Sequence, residues 1–479
     1  MTTTPKIYDQ EGSTIAAERP LRSSGLLVAA ARSGSGKTTI TAGIMSALRR
    51  RGVSVGGAKV GPDYIDPSYH RIACGRPSYN LDPYLTGGSP GVLRSLQRAA
   101  EGAEITVVEG VMGLFDGAYD RPSGLSTELS DTGDSAIPFA STAHIAVATS
   151  LPVILIVDVE ATSQTAAAIV HGLATYSPAC TVTAVILNKV ASPRHETSIA
   201  RALAARGIPF LGALPASNAL RLDRRHLGLI PAAEYVPTLE ARLREISDEI
   251  NGHLDLDTLV SLARPVPQLT SHSSPTVREP QRTPVVSYAT GAAFSFTYQE
   301  NLDLLREAGA RLQPFDPLHD EAIPSQTDLC LLGGGFPETY LDVLGANKAM
   351  LSSLRAFALQ GGAIWAECGG HLLLGRSLET TELAGLLPTR ATMTTRLTMG
   401  YRDARATQDN LLFEEGERFT AHEFHYSHTE PEGSCLAYSV GTEQRRSGFG
   451  HERLLSSYLH VHLAGQPAAL ERLLRISGR

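Results

Sequence analysis

Short apolar runs recur along the chain and are separated by stretches with helix-like spacing of apolar residues. GLLVAAA (25–31) runs into a Gly/Ser loop, and ITVVE (105–109), PVILIVD (152–158) and VTAVILNK (182–189) are rich in β-branched residues and almost wholly apolar. Strands of that composition are covered on both faces, so the pattern predicts a mostly parallel sheet wrapped by helices. The alternation of strand and helix predicts a right-handed α/β layer fold.

After about residue 240 the composition changes. Residues 265–284 (PVPQLTSHSSPTVREPQRTP) are rich in Pro, Ser and Thr and carry no apolar period, which reads as a linker. PVVSYAT (284–290) then opens a second α/β unit, followed by LCLLGGGFPE (329–338) and AIWAECGG (363–370), each a strand running into glycines. The expected division is a polar tail (1–22), a first domain (23–245), a linker region (246–283) and a second domain (284–479). There is no internal repeat.

Composition narrows the function classes. The chain has 479 residues, 42% hydrophobic and 19% charged, as in an ordinary soluble globular protein. The formal net charge of −7 offers no basic field for nucleic acid. The apolar run at 151–157 is too short to span a bilayer, so no membrane partner is expected. The five cysteines are odd in number and show no CxxC spacing. That pattern disfavours a disulfide framework or a structural zinc site and fits a reducing, cytoplasmic setting.

Two motifs carry the chemistry. In AARSGSGKTT (30–39), a glycine-rich turn between a strand and a helix places Gly34, Ser35, Gly36, Lys37, Thr38 and Thr39 around an expected phosphate site. Free N–H groups at the helix start stabilise an anion, Lys37 would reach the terminal phosphates, and Thr38 would ligate Mg²⁺. Ala31 stands where the usual first glycine of such loops falls. Glu109 ends an apolar strand, where parallel sheets bind ligands, and could hold the same Mg²⁺; a surface acid or cap partner is the plainer alternative. KVGPDYIDP (59–67) and NLDP (80–83) are loops that could hold phosphate, metal or substrate, or could simply be turns.

The second motif is GGAIWAECGGHLLLG (361–375). It sets Cys368 between a strand and a helix, the logic of a nucleophile elbow, and a helix N-terminus there is expected to favour the thiolate. SSYLHVHLAG (456–465) offers His460 and His462 on one face of a strand, either of which could serve as base. His422 and His425 in HEFHYS could bind substrate or lie satisfied in the core. The glycines of GGGFPE (333–338) suit an oxyanion hole or a tight turn.

In order, SGSGKTT, KVGPDYIDPSYH, NLDPYL, VEGVMGLFDG, ILNKVASPRH, RHLGLIPAAE, AFSFTYQENL, GGGFPE, AECGG, HEFHYSH and SYLHVHLAG resemble the cobyrinic acid a,c-diamide synthase family, over about residues 24–470. The resemblance implies a P-loop NTPase domain similar to dethiobiotin synthetase, followed by a class I glutamine amidotransferase domain. It implies ATP- and Mg²⁺-dependent amidation of the a and c carboxylates of a cobyrinic or hydrogenobyrinic acid. Ammonia would come from glutamine and the carboxylates would pass through acyl phosphates, as in cobalamin biosynthesis. It implies Cys368 as nucleophile with His460, and Thr38, Asp82 and Glu109 as Mg²⁺ ligands. Lys59 would serve the phosphates and Asn188 the adenine. Asp63, Tyr64 and Ile65 would touch the corrinoid polycarboxylate, and Gly334, Gly335 and Gly369 the glutamine site. Common glutaminase domains place an acid two residues after the histidine; here that residue is His462, and the subfamily is thought to work with Cys and His alone. The segment 289–296 lacks an expected Asp near Gly291, and 127–140 resembles an insertion. A homodimer is left open. Cobyric acid synthase and nickel-sirohydrochlorin diamide synthase are the related alternatives. A ParA- or MinD-like ATPase with an inert glutaminase domain is the alternative of another class.

Overall fold

Each apolar run of the first half forms a strand in a computed structural model of the chain, which describes residues 23–122, 134–220, 222, 224–225, 228–229, 236–269 and 282–477. Seven parallel strands make the first sheet: β1 (Ser24–Ala30), β2 (Val55–Val60), β3 (Ser78–Leu81), β4 (Ile105–Glu109), β5 (Val153–Asp158), β6 (Val182–Val190) and β7 (Phe210–Pro215). Their spatial order is β3-β2-β4-β1-β5-β6-β7. β1 lies between β4 and β5, in register Val28↔Glu109 and Ala30↔Ile156. The strand reversal around β1 therefore sits where its phosphate loop leaves the sheet, the place such sheets bind ligands.

Helices cover both faces. Leu26, Val28 and Ala30 of β1 pack beneath α1 (Lys37–Arg50), while Leu27 and Ala29 belong to the opposite core. Alternating Cβ directions give one strand two fully buried faces, which is why its sequence shows no polar alternation.

One expected boundary is corrected. The helix Val236–His253 runs through residue 245, and Leu239, Leu243, Ile246 and Ile250 pack into the α1 core. The helix Leu256–Leu262 follows, and Arg264–Pro265 pairs antiparallel with β1. Residues 246–266 are thus part of the first domain, because their apolar side chains at helical spacing have a core to fill. The expected polar tail (1–22) and most of the Ser/Pro-rich stretch (270–281) lie outside the described residues, as does 123–133 of the expected insertion.

The second domain is built on a six-stranded sheet. Its order is Arg311–Phe315, Val285–Ala289, Leu329–Leu332, Ala363–Glu367, Leu454–Ser457, Phe449–His451, parallel except for the last pair. Beside it the long antiparallel strands Arg390–Ala406 and Arg418–Glu430 carry Leu459–Val461 at their edge, in register His422↔His460.

The two domains are stitched together by buried contacts. The helix α3 (Ser89–Ala100) packs on Gln299–Glu307, where Ser95 donates to Glu300 (2.6 Å) and Arg98 pairs with Glu300 and Glu307. Tyr79 donates to Asp303 (2.9 Å) and Tyr401 to Asp82 (2.8 Å), and Tyr84 stacks on Tyr401 at 4.2 Å. Gly465 lies so close to Leu85 that a Cβ would meet its carbonyl oxygen at 2.0 Å.

Candidate active site

The phosphate loop turns through Gly34 (φ 76°) and Gly36 (φ 91°), a left-handed backbone that glycine adopts without strain. A side chain at Gly36 would also strike the Asn188 amide at 2.5 Å. Asn188, at the end of β6, donates to the Ser35 carbonyl (2.9 Å) and accepts from Lys189 N–H (2.9 Å). Both atoms of the amide expected at adenine are therefore engaged in bracing the loop. Ser35 is itself fixed to the Arg32 carbonyl (2.9 Å).

Lys37 bends back to donate to the Met112 carbonyl. Burial, reinforced by the charge of Lys59, lowers its pKa to about 8. Thr38 donates to Glu109 at 2.6 Å. Lys59 lies 3.1 Å from the same carboxyl and 2.7 Å from Asp66. His70, reaching from α2 (Ile65–Cys74), contacts the other Glu109 oxygen at 2.6 Å. Burial alone would raise the Glu109 pKa, but Lys59 and His70 overcome it and hold the carboxylate ionised.

Two oxygen-bearing side chains thus meet beside the loop. Thr38 and Glu109 suit Mg²⁺, a hard cation that takes one or two protein oxygens and completes its shell with phosphates and water. Asp82 does not join them. One of its oxygens accepts the N–H groups of Tyr84 and Leu85, and the other accepts the Tyr401 hydroxyl. Of the three residues expected as ligands, Thr38 and Glu109 meet beside the loop, whereas Asp82 is engaged in capping a turn and joining the domains. Among the described residues no group of three His, Cys, Asp or Glu side chains could hold a metal. His425 is satisfied instead by Glu423 (3.0 Å) and the Ser427 carbonyl (2.7 Å).

The residues expected at substrate follow β2. Asp63 accepts the N–H groups of Ile65 (2.7 Å) and Asp66 (3.0 Å), starting α2. Asp63, Tyr64 and Ile65 border a cavity of about 1230 Å³, together with Lys37, Thr38, Lys59 and Glu109. The far wall comes from the second domain: Phe296, Phe336, Gly400–Asp403, His422 and Phe424. The volume exceeds the ~300–1,000 Å³ of ordinary small-molecule sites.

Cys368 follows the strand Ala363–Glu367 with φ 46° and ψ −103°, a strained backbone for a side-chain-bearing residue and the mark of an elbow. Its thiol donates to the Phe424 carbonyl (3.3 Å). N–H groups of Gly335 and Gly369 are directed at the sulfur, the arrangement that would also hold an oxyanion. Gly334 fits between the expected partners: a Cβ there would lie 2.5 Å from His460 Cε1 and 3.3 Å from Cys368 Cβ. Against expectation the thiol is not acidified. Burial, aided by the charge of Glu338, pushes it up to about 12 and outweighs the two N–H groups. Cys368 and His460 do not border the large cavity; Tyr64, Phe296 and Phe424 stand between.

His460 is fully buried, its ring 4.8 Å from that of Tyr64. His462 lies against Tyr298 (4.7 Å) and Glu300 (3.8 Å). Gly291 faces Asp316, whose carboxyl oxygen lies 2.4 Å from where a Cβ would be, so a carboxylate reaches that spot from just past the end of the neighbouring strand Arg311–Phe315. His70 and Glu367 have no role read from sequence, where only their place in KVGPDYIDPSYH and AECGG hints at one; Asp66 enters only as part of the KVGPDYIDP loop.

Fold and site together define a two-domain protein in which a phosphate-loop domain and a cysteine amidotransferase domain face one cavity. Residues 26–230 match the CobQ/CobB/MinD/ParA nucleotide binding domain and residues 285–468 the CobB/CobQ-like glutamine amidotransferase domain. The chain is 40% identical to hydrogenobyrinate a,c-diamide synthase of Streptomyces coelicolor, covering 93% of this chain and 96% of the relative. It is 42% identical to cobyrinate a,c-diamide synthase of Listeria monocytogenes, over 91% and 96%. The chain belongs to the cobyrinate/hydrogenobyrinate a,c-diamide synthase family.

Proposed function

We propose that the chain is a carbon–nitrogen ligase that amidates the a and c carboxylates of cobyrinic or hydrogenobyrinic acid, using ATP and glutamine, in cobalamin biosynthesis. The observation that carries this reading is the shared cavity, which Lys37 and Glu109 border from one domain and Arg402 and His422 from the other. The five free cysteines support a reducing cytoplasm, and no helix among the described residues is long and apolar enough to cross a membrane.

In this reading His460 takes the proton from Cys368, whose sulfur attacks the glutamine side-chain amide. The N–H groups of Gly335 and Gly369 hold the oxyanion, His460 hands its proton to the nitrogen that leaves as ammonia, and water then hydrolyses the glutamyl thioester, releasing glutamate and restoring the thiol. In the other domain the substrate carboxylate receives the γ-phosphoryl of ATP, because a free carboxylate is a poor acyl donor. Lys37 and the N–H groups of the loop offset charge on the phosphates. Mg²⁺ supplies further charge stabilisation when bound, and Thr38 and Glu109 are the residues that would hold it. Ammonia then displaces phosphate from the acyl phosphate to give the amide. Asp63, Tyr64 and Ile65 would hold the corrinoid with its carboxylates toward the loop.

The test is incubation with ATP, Mg²⁺, glutamine and each corrinoid acid, with products followed by mass spectrometry. A diamide from one acid supports the reading and identifies the substrate. Turnover of ATP or glutamine with neither acid amidated would overturn the substrate assignment.

A further inference from the structure

Common glutaminase domains orient the histidine with a carboxylate two residues after it, and that position is His462 here. His462 cannot supply negative charge: burial holds its pKa down at about 3, so the ring is neutral. Glu367, the residue before Cys368, approaches His460 from another direction. One of its oxygens lies 3.5 Å from His460 Nδ1. The other accepts the N–H of Val461 at 2.8 Å, so the carboxyl is braced on the strand that carries His460. We infer that Glu367 is the positioning carboxylate of the glutaminase site, orienting His460 and offsetting its charge when it takes the Cys368 proton. This rests on the reading above that Cys368 and His460 split glutamine.

Glu367 is 3% exposed, and among the described residues its one neighbour at ion-pair distance is His460. A buried carboxylate is costly unless a partner compensates it. Among the other titratable groups around His460 and Glu367, Tyr64, Tyr298, His422 and Cys368 are neutral near pH 7. Tyr64, from the start of α2, and Tyr298, before Gln299–Glu307, are both pushed well above the usual tyrosine range by burial. His422, opposite His460 in the ladder, is held at about 3 by burial and by His460 itself. Cys368 is held up at about 12 by burial, with Glu338 acting on it from the facing turn. The 3.5 Å separation is an ion-pair distance, longer than a good hydrogen bond; both ring nitrogens of His460 are without a hydrogen-bond partner. A catalytic contact of this kind tightens when substrate is bound.

The experiment is Glu367→Gln, which keeps an oxygen for Val461 but removes the charge. Glutamine-dependent kcat should fall about 10²-fold, the low end of what a general base contributes, with KM for glutamine little changed. The pH profile of kcat/KM for glutamine should change shape, because the group that orients His460 and offsets its charge is gone. A kcat within about threefold of wild type overturns the inference, since a general base at work contributes far more. A fall in kcat with an unchanged pH profile also overturns it, because a purely structural brace would act that way. Ammonium-driven amidation in the same preparations serves as the control. Wild-type protein inactive with both nitrogen sources would sink the proposed function rather than the role of Glu367. Should Glu367→Gln fail to fold, ¹⁵N spectra of the wild-type imidazoles decide, with the His460 signals identified by their loss in His460→Asn. A neutral ring protonated on Nδ1 supports the inference, and one protonated on Nε2 overturns it.

Discussion

The ring of Tyr64, in the nucleotide-binding domain, lies 4.8 Å from the ring of His460, in the amidotransferase domain. Tyr64 also stacks on Phe296 at 5.2 Å and packs on Tyr298 at 4.6 Å. One side chain of the expected corrinoid loop therefore touches the second domain's expected base and borders the cavity at the same time. Substrate that displaced Tyr64 would alter the packing of His460 directly, with no relay in between.

Tyr64→Ala should therefore loosen the coupling of the two half-reactions. Wild-type protein is expected to release close to one glutamate per amide formed; the alanine variant should release several, because ammonia made beside Cys368 would no longer be held for the cavity. Tyr64→Phe keeps the ring and should keep the ratio. Glutamate and amide counted in one reaction decide the matter, and a ratio near one in Tyr64→Ala would remove Tyr64 from the coupling.

Cys368 and the phosphate loop occupy different domains, so their losses should differ in kind. Cys368→Ser should abolish glutamine use, by about 10³-fold or more as expected for a lost covalent nucleophile, and leave ammonium-driven amidation intact. Loss of both activities in a variant that melts like wild type would show that the thiol serves the synthetase site too.

Much of this arrangement was legible in the chain. The β-branched runs gave the first sheet, since a strand buried on both faces has no polar alternation to obscure. The Gly-Ser turn and the cysteine after AIWAE each announced themselves by local spacing. What stayed hidden depends on distant partners. Asp82 looked like a metal ligand because nothing nearby shows that Tyr401 will reach across and bind it. His70 lies far in sequence from Glu109, and only the pairing of β2 with β4 brings α2 over that carboxylate. The elbow spacing puts Cys368 between a strand and a helix, but the depth of its burial, which decides the thiol's pKa, depends on distant partners such as Phe424, whose carbonyl the thiol meets. The helix Val236–His253 carried its signal in Leu239, Leu243, Ile246 and Ile250, masked by the compositional change beside it.

The Asp82–Tyr401 contact should show as a pH-dependent part of stability. Burial pushes the Asp82 carboxyl up to about 6, with Tyr401 and two N–H groups pulling the other way. A folded pKa above the unfolded value means the folded chain holds its proton more tightly. That contribution is full below about pH 4 and lost as pH rises through about 6. Above that, Asp82 is ionised and its bond from Tyr401 is charge-assisted. Tyr401→Phe should then cost about 1.5–3 kcal/mol at pH 8 but about 0.5–1.5 kcal/mol at pH 5, where the carboxyl is mostly protonated. Urea unfolding of the two proteins at both pH values measures this, and an equal loss at each would refute the ionisation of Asp82.

Lys37 should make nucleotide binding take up a proton. Burial lowers its pKa to about 8 from 10.5, so near pH 8 about half the molecules carry a neutral amine. For the empty protein the sign is unfavourable to folding: the penalty is full below about pH 8 and relieved as pH rises toward 10.5. Phosphates beside the amine favour its charged form and restore the pKa. Binding of a non-hydrolysable ATP analogue with Mg²⁺ should therefore absorb about half a proton at pH 8, more at pH 9 and little at pH 7. Calorimetry in two buffers of different ionisation heat reads this directly, after correction for protons released by the nucleotide itself. Lys37→Met should bind more weakly and lose the uptake. If the uptake persisted in that variant, another group would be titrating, and Lys37 would be charged before the nucleotide arrives.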